Sequence, residues 1–138
     1  MSKVKPSEEF PSFSPGDFQV AFKSELFSVE TTTFKMMENT FFATYWKPTE
    51  APQGLIFICH GYGEYFSPSY DGVAKRMAET GFLVFGHDHV GHGRSTGQRV
   101  QVQSLDDYVI PVLSHCKKGL LCCTLSTFYF FSNGNTVY

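Results

Sequence analysis

The sequence predicts an α/β fold, in which an antiparallel hairpin is followed by parallel strands and crossover helices. Three observations support this prediction: an alternating Thr- and aromatic-rich stretch at 26–48, short continuous apolar runs at 55–59 and 82–85, and an amphipathic segment between those runs. The 138 residues are 42% apolar and 17% aromatic, which is enough apolar side chain for one domain with its own core.

The N-terminal part divides into a lead-in and a hairpin. Residues 1–25 place prolines and serines around isolated phenylalanines, so we expect an irregular lead-in. From Leu26 onward, LFSVETTTF and TFFATYWKP have the composition of strands, and the polar stretch MENT lies between them. This pattern predicts a hairpin with its turn at Met37–Asn39.

A strand–helix–strand unit follows the hairpin. Leu55–Cys59 is a continuous apolar run, which is typical of a strand buried on both faces. The next segment, SYDGVAKRMAETG, has apolar residues at helical spacing and ends in Gly81, a residue that commonly terminates helices. Phe82–Phe85 is a second apolar run, so the unit predicts two parallel strands joined by a crossover helix.

A second helix is predicted to begin near Ser104 and to end at Lys117 and Lys118. A serine can accept hydrogen bonds from the first free N–H groups of a helix, and Asp107 stands three residues further on. Positive charges are favourable at the negative, C-terminal end of the helix dipole, which is why the two lysines indicate its end.

The last twenty residues differ from the rest of the chain in composition. Gly119–Tyr138 contains no Asp, Glu, Lys or Arg, although the preceding part contains all of the charged residues. We therefore divide the chain into the lead-in, a main segment at 26–118 and a divergent uncharged tail at 119–138. We expect the apolar run Leu120–Phe131 to add to the sheet as a strand beside Phe82–Phe85.

Composition excludes several classes of function. The 11 Lys and Arg against 13 Asp and Glu give no electrostatic case for nucleic acid as a partner. No signal peptide or transmembrane run is present, so we expect a cytoplasmic protein. The four cysteines lack metal-ligand spacing and are interpreted as reduced thiols: Cys59, Cys116, Cys122 and Cys123.

The stretch GHDHVGHGRSTG, Gly86–Gly97, raises the question of a metal site. Its three candidate ligands have the spacing H-x-H-x-x-H: His87, His89 and His92. Three imidazoles can hold a zinc ion, but a glycine-rich loop orients them poorly and His115 is the one histidine that follows. A metal-dependent hydrolase is therefore kept as an alternative, while the favoured interpretation has no metal and no cofactor.

The same stretch contains GRSTG, which fits the G-x-S-x-G pattern of a serine nucleophile. That pattern works where a strand enters the first glycine directly and a helix leaves the second. Ser95 instead lies some ten residues beyond the strand Phe82–Phe85, and no helical pattern follows Gly97. The favoured interpretation is a structural loop at the carboxyl end of a strand, whose glycines, among them Gly91 and Gly93, permit sharp bends.

Three segments in order resemble a known family. LIFICHGYGEY, GFLVFGHDHVGHGRSTG and SLDDYVIPVLSH are similar to the monoacylglycerol lipases of the α/β-hydrolase superfamily, over roughly Leu26–Lys118. In that family H-G-x-G-E follows the third strand and H-D-x-x-G-H-G-x-S-x-G follows the fourth. The resemblance implies a serine hydrolase that cleaves a monoacylglycerol to a fatty acid and glycerol with a Ser, His and Asp triad.

The resemblance also implies roles for residues in the motifs. The residue after H-G supplies a backbone N–H to the oxyanion hole, which here is Tyr62. Gly61 and Gly63 let the backbone approach the substrate closely. The remaining motif residues are expected to order the loops and not to act as acid or base: His60, Glu64, Asp88, His89, Gly91, His92, Gly93 and Ser95.

The chain departs from the family after Lys118. A fifth strand and the nucleophile motif G-H-S-M-G would follow there, and the sequence contains neither that motif nor the later Asp and His. We expect a partial α/β-hydrolase fold that stops before the nucleophile elbow, ended by an alternative exon, a retained intron or a gene-model error, and unable to hydrolyse esters.

The sequence indicates less about binding partners than about the fold. The family's substrate is a lipid ester, and its members can contact membranes peripherally. Neither sequence nor resemblance indicates an oligomeric state. An alternative of another class is a non-catalytic interaction protein, in which an exposed sheet edge pairs with another chain.

Overall fold

The described residues build one seven-stranded sheet with a helix against each face. The computed structural model describes residues 15–66, 70–122, 128–132 and 135–137. In chain order the strands are β1 Gln19–Lys23, β2 Phe27–Met36, β3 Asn39–Pro48, β4 Gly54–Cys59, β5 Phe82–His87, β6 Phe128–Ser132 and β7 Asn135–Val137. The helices are α1 Asp71–Glu79 and α2 Asp106–Cys122, and Pro15–Asp17 forms a short 3₁₀ turn. The strand order is β1-β2-β3-β5-β4-β6-β7.

The predicted hairpin is confirmed. β2 and β3 pair antiparallel over their whole length, from Phe27 opposite Pro48 to Met36 opposite Asn39. The turn therefore has two residues, and its first, Met37, has a φ of 56°. A positive φ at that position matches the twist of the two strands, which is why short hairpin loops favour it.

The predicted strand–helix–strand unit is also confirmed. β4 and β5 pair parallel, from Gly54 opposite Phe82 to Phe57 opposite Phe85, and α1 connects them. Helix α1 ends where predicted, because Gly81 has a φ of 97° and its N–H donates to the carbonyl of Ala78. A left-handed glycine is a common way to terminate a helix.

The core has two layers, one on each face of the sheet. Alternate residues of β4 point to opposite faces, so Leu55 and Phe57 belong to one cluster and Ile56 and Ile58 to the other. The first cluster is closed by α2 through Val112 and Cys116, and the second by α1 through Ala74 and Ala78. Burial on both faces explains why β4 and β5 read as continuous apolar runs.

Helix α2 starts as predicted but ends later. Ser104 Oγ accepts from the N–H of Asp106 at 3.1 Å, and the Asp107 carboxylate accepts from the N–H of Ser104 at 3.2 Å. This reciprocal arrangement is a capping box. The prediction that the helix ends at Lys117 and Lys118 was wrong, because the helix continues to Cys122.

Neither of the two described helices combines the length and the apolar character that a membrane-spanning helix needs.

Two further expectations need correction. The lead-in is not irregular throughout, because Gln19–Lys23 forms β1, which pairs antiparallel with β2. The tail strand is β6, and its partner is β4, not Phe82–Phe85 as expected. The reason is that β5 is already paired on both sides, antiparallel with β3 and parallel with β4, so the available edge was that of β4.

Candidate active site

Two loops meet at the carboxyl ends of the central strands β4 and β5. The first loop, residues 60–66, follows β4, and the second loop, residues 88–100, follows β5. Because β4 and β5 are parallel neighbours, their carboxyl ends lie side by side, where open α/β sheets form their sites. All of the motif residues predicted from the sequence lie in these loops.

The first loop contains a tight turn at Gly61–Glu64. The Glu64 N–H donates to the Gly61 carbonyl at 3.1 Å, and Gly63 has a φ of 77° at the third position, as a type II turn requires. The Glu64 carboxylate accepts from the Gly61 N–H at 2.8 Å and from the Tyr70 hydroxyl at 2.5 Å. The Tyr70 hydrogen bond, followed by that of Gly61, lowers the pKa of Glu64, so the carboxylate form closes the turn.

Tyr62 occupies the exposed corner of this turn. Its side chain is 68% exposed, and its hydroxyl donates to the carbonyl of Val100 in the second loop at 2.6 Å. Its backbone N–H donates to no carbonyl or side chain among the residues that the structure describes. The turn thus presents one N–H that the described protein groups leave available to a ligand.

His60 and His89 join the two loops through hydrogen bonds to each other. The His89 N–H donates to His60 Nε2, and His89 Nε2 lies 2.9 Å from the His60 carbonyl, which can only accept. His60 Nδ1 lies 2.9 Å from the carbonyl of Gly61, which can only accept, so His60 carries its proton on Nδ1. The two hydrogen bonds of His60 require a neutral ring, and burial, the largest cause, lowers the pKa of His60 and lowers that of His89 to about 3.

His92 makes a second connection between the loops. Its Nε2 lies 3.0 Å from the Gly63 nitrogen, and its Nδ1 lies 2.8 Å from the carbonyl of Val90. The ring is 3% exposed, and the Tyr108 hydroxyl of α2 lies 3.4 Å from its Nε2. His92 thus contacts the turn, its own loop and the helix at once.

Asp88 anchors both loops through backbone N–H groups. One carboxylate oxygen accepts from Phe66 at 3.0 Å and the other from Arg94 at 2.9 Å. Gly93 must be a glycine here, because a Cβ at that position would lie 2.2 Å from the Asp88 carboxylate. Gly91 and Gly93 both have positive φ, 72° and 49°, which fits the predicted bends.

Ser95 is buried within the second loop. Its side chain is 0% exposed, its hydroxyl donates to the Asp88 carbonyl at 2.6 Å, and it accepts from the Phe42 N–H at 2.9 Å. Arg99 adds two donors to the same loop, to the carbonyls of Gly93 and Ser95. This hydroxyl attaches the loop to β3, and among the described residues no histidine ring is hydrogen-bonded to it.

The histidines do not converge on one point. His87 Nδ1 lies 2.9 Å from His115 Nδ1, and His115 Nε2 lies 2.6 Å from the Tyr45 hydroxyl, within the core. His92 uses both ring nitrogens on backbone groups and His89 uses Nε2, whereas His89 Nδ1 and His87 Nε2 have no hydrogen-bond partner among the described residues. Within the described ranges no three His, Cys, Asp or Glu side chains are placed to hold one metal ion. The geometry therefore gives no support to the metal-site alternative of His87, His89 and His92.

The two described cysteines are thiols. Cys59 is partly buried and Cys116 buried, and neither forms a disulfide. Burial raises the pKa of Cys59 to about 11 and, as the largest cause, that of Cys116 to about 12. Cys59 Sγ lies 3.4 Å from His89 Nε2, but that nitrogen already carries a proton, so it cannot activate the thiol. The side chains of Cys122 and Cys123 lie outside the described residues.

The sequence did not reveal three residues that the loops depend on. Tyr70 bonds Glu64 from the start of α1, Arg99 binds the second loop, and Tyr108 stacks on His89 with ring centroids 4.4 Å apart. Tyr70 and Arg99 lie outside the three segments that resemble the family, whereas Tyr108 lies in SLDDYVIPVLSH. Tyr108 has helical spacing to Val112 and His115, and that spacing is the one signal in the sequence that points to it.

The fold and the two loops define the class of protein, an α/β-hydrolase. A soluble variant of monoglyceride lipase from Saccharomyces cerevisiae, solved with a substrate analog, superimposes with a TM-score of 0.63 at 16% identity, over 86% of this chain and 36% of that one. Est1E from Butyrivibrio proteoclasticus, solved with ferulic acid, gives 0.63 at 18% identity, over 73% and 41%. At these identities the likeness shows the fold.

Sequence comparison gives the family. The model of the family described as serine aminopeptidase, S33, matches residues 50–118, and the chain belongs to this family. Human monoglyceride lipase is 47% identical over 74 residues, which is 54% of this chain and 24% of the human protein. The monoglyceride lipase homolog of Monkeypox virus is 42% identical over 82 residues, 59% of this chain and 29% of the viral one.

One further relative is matched over most of its own length. Protein K6 of Vaccinia virus is 47% identical over 64 residues, which is 46% of this chain and 74% of K6. The predicted resemblance to monoacylglycerol lipases is thus confirmed. The chain spans 24% of the length of the human lipase, so the activity of the whole lipases does not pass to it directly.

Proposed function

We propose that this chain supplies the oxyanion-binding half of a monoacylglycerol-hydrolase active site, with the backbone N–H of Tyr62 as donor. The strongest support is that the N–H groups of Gly61, Gly63 and Glu64 in this turn are all hydrogen-bonded. The Tyr62 N–H, in contrast, is not used by the described protein groups. A donor fixed before the substrate arrives stabilises a developing negative charge without reorganisation.

The chemistry asked of Tyr62 is limited and specific. When a nucleophile attacks the carbonyl carbon of an ester, the carbonyl oxygen becomes an anion, and the Tyr62 N–H donates to that oxygen. Gly61 and Gly63 carry no side chains, so the acyl group can approach the backbone of the turn. The Tyr62 hydroxyl donates to the Val100 carbonyl, so the polar group of the side chain is engaged away from the backbone N–H of its own residue.

The substrate class comes from the relatives. The human and Monkeypox virus proteins are named monoglyceride lipase and monoglyceride lipase homolog, and the yeast structure holds a substrate analog. We infer a lipid ester of the monoacylglycerol type as the ligand of these loops. In this proposal His60, Glu64, Asp88, His89, His92 and Ser95 order the loops and take no part as acid, base or nucleophile.

We further propose that the 138-residue chain by itself does not hydrolyse esters. Among the described side chains no serine hydroxyl is hydrogen-bonded to a histidine ring, and Ser95 is buried with both of its hydrogen bonds made to the backbone. The motif G-H-S-M-G, which resemblance predicts after the fifth strand, does not occur in the sequence. Incubation with a monoacylglycerol should therefore release no fatty acid above the level of a Ser95→Ala control.

The oxyanion role is tested in a chimera. Human monoglyceride lipase receives the segment of this chain that matches it, and the position of Tyr62 is then varied. Tyr62→Pro removes the N–H, and proline is favoured at the second position of a type II turn, so the turn is preserved. We expect Tyr62→Pro to lower kcat by about 10²–10³, while Tyr62→Ala, which keeps the N–H, retains activity.

The outcome that contradicts the role is equally clear. If Tyr62→Pro and Tyr62→Ala hydrolyse monoacylglycerol at the same rate in a chimera that is folded and active, the Tyr62 N–H is not an oxyanion donor. A chimera that folds but has no activity with Tyr62 in place would show that the segment cannot serve this reaction.

A further inference from the structure

We propose that His92 is the residue that positions the oxyanion turn, by accepting the Gly63 N–H on Nε2 as the neutral Nδ1–H tautomer. The inference rests on the proposed function, since it explains how the Tyr62 N–H is held in place. His92 does not touch the reacting atoms in this scheme. It is a positioning residue that acts through the Tyr62–Gly63 peptide.

The partners of His92 determine its tautomer. Nδ1 lies 2.8 Å from the Val90 carbonyl, which can only accept, so Nδ1 carries the proton. Nε2 lies 3.0 Å from the Gly63 nitrogen, and a backbone N–H can only donate, so Nε2 is unprotonated. An imidazolium, which has a proton on both nitrogens, could not accept the Gly63 bond.

The bond acts on the part of the turn that can rotate. The Tyr62–Gly63 peptide is the central peptide of the Gly61–Glu64 turn, and type I and type II turns differ in the orientation of this peptide. The Gly63 N–H is in that peptide, so the bond to His92 holds it in the type II orientation, with φ of Gly63 at 77°. Loss of the bond frees the peptide to rotate and changes the ψ of Tyr62.

His92 is itself held in place from several directions. Its ring centroid lies 5.4 Å from that of His60 below the turn, 5.7 Å from Tyr62 and 5.8 Å from Tyr108 of α2. The ring is 3% exposed, so water does not compete freely for Nε2. The turn is thus coupled through one imidazole to the second loop and to helix α2.

The other contacts of the turn do not replace this bond. Glu64 binds the Gly61 N–H, which belongs to the peptide before the oxyanion donor, and the Tyr62 hydroxyl binds Val100. Among the described residues, His92 provides the single acceptor for the Gly63 N–H. A substitution at His92 should therefore affect the amides of Tyr62 and Gly63 before it affects the rest of the first loop.

The test uses the full ¹⁵N-labelled chain and nuclear magnetic resonance. An N–H···N hydrogen bond transmits a scalar coupling between its two nitrogens, so we expect a coupling between the Gly63 amide nitrogen and His92 Nε2. This measurement needs no variant. Absence of the coupling, with the His92 ring as the Nε2–H tautomer, overturns the proposal.

Matched variants separate positioning from simple filling of space. In His92→Gln the side-chain carbonyl can accept the Gly63 N–H near the place of Nε2, so the amide shifts and exchange protection of Tyr62 and Gly63 should be retained. In His92→Leu no acceptor remains, and protection of the Gly63 amide should fall at least tenfold. Leu113→Ala, at an exposed position of helix α2, is the control that should leave both amides unchanged.

Equal loss of protection in His92→Gln and His92→Leu would overturn the proposal, because the acceptor atom would then be irrelevant. These readouts are independent of hydrolysis. A coupling that is present while the active-site chimera is inactive would support the positioning bond and reject the proposed function. A missing coupling in a chain whose chimera is active would reject the positioning bond and leave the proposed function supported.

Discussion

The Asp88 carboxylate ties the first loop to the second with two hydrogen bonds. It is 2% exposed, and its oxygens accept from the backbone N–H groups of Phe66 and Arg94. Asp88→Asn keeps the shape but turns an amide NH₂ toward one of these donors, which leaves a buried N–H without an acceptor. We expect the free energy of unfolding to fall by about 1–3 kcal/mol.

Urea denaturation followed by tryptophan fluorescence measures this change, because Trp46 is buried in the core. Glu50→Gln is the control, since it removes one negative charge from an exposed loop residue and should change the stability by less than about 0.5 kcal/mol. Equal stability of Asp88→Asn and the unchanged chain would show that the two N–H groups find other acceptors.

The identity of the loop residues could be predicted from the sequence, but their partners could not. A cluster of histidines, glycines and an aspartate after an apolar run indicates an ordered loop, because such residues permit bends and satisfy backbone groups. Which nitrogen of His92 accepts, and that it accepts from Gly63, depends on how two loops pack together, and the two residues are 29 positions apart in the chain. No local pattern encodes that packing.

Helix α2 depends on its first turn for its start. Ser104 accepts from Asp106, and Asp107 accepts from Ser104, so the first turn has little need of water to satisfy its N–H groups. We expect Ser104→Ala to lower the free energy of unfolding by about 1 kcal/mol. The matched control is Ser114→Ala in the middle of the same helix, where alanine should be neutral or slightly stabilising.

Thermal or urea unfolding of the two variants gives the comparison directly. If Ser114→Ala costs as much as Ser104→Ala, the effect belongs to serine in general, and the capping box does not stabilise α2. Since α2 carries Tyr108 and His115, loss of its first turn should also be visible as weaker protection of the second loop.

Local patterns predicted the elements that repeat a clear period and failed where tertiary contacts decide. The hairpin and the β4–α1–β5 unit have strong alternation or helical spacing with glycine at their ends. β1 was missed because all five of its residues are exposed, which leaves no buried face to produce alternation. The late end of α2 was missed because Lys117 and Lys118 were interpreted as its end, whereas the helix continues through Gly119, whose backbone lies against Phe85.

The histidine pair in the core makes the stability of the whole molecule depend on pH. Burial lowers the pKa of His115 to about 3, and burial followed by the proximity of His115 lowers that of His87 well below 6.5. The unfolded chain takes up these protons as the pH falls below about 6.5, whereas the folded chain does not. The free energy of unfolding should therefore fall as the pH decreases from 6.5 toward 3.

His115→Phe tests the origin of that dependence. Each histidine that stays neutral when folded contributes a slope of up to about 1.4 kcal/mol per pH unit. Between pH 6.5 and 5, above the range of most carboxylates, we expect the variant to show a shallower slope than the unchanged chain in urea denaturation. Glu38→Gln, in the exposed hairpin turn, should keep the original slope. Parallel slopes for His115→Phe and the unchanged chain would contradict the assignment.

The uncharged tail contributes two strands, β6 and β7, to the sheet, so a deletion can test whether they support it. β6 pairs parallel with β4 from Leu55 opposite Phe128 to Cys59 opposite Ser132, and β7 pairs antiparallel with β6. A deletion after Lys118 would also remove the last turn of α2, so the better deletion begins after Cys122. It exposes the edge of β4, a central strand buried on both faces.

We expect the chain without residues 123–138 to have a lower cooperative melting temperature and a greater tendency to aggregate than the full chain. Deletion of residues 1–14, which lie outside the described residues, is a comparison of similar size, and calorimetry with light scattering measures both effects. The opposite result would be a shortened chain that is more soluble and no less stable. In that case the apolar, uncharged run would be an aggregation-prone segment and not a supporting strand.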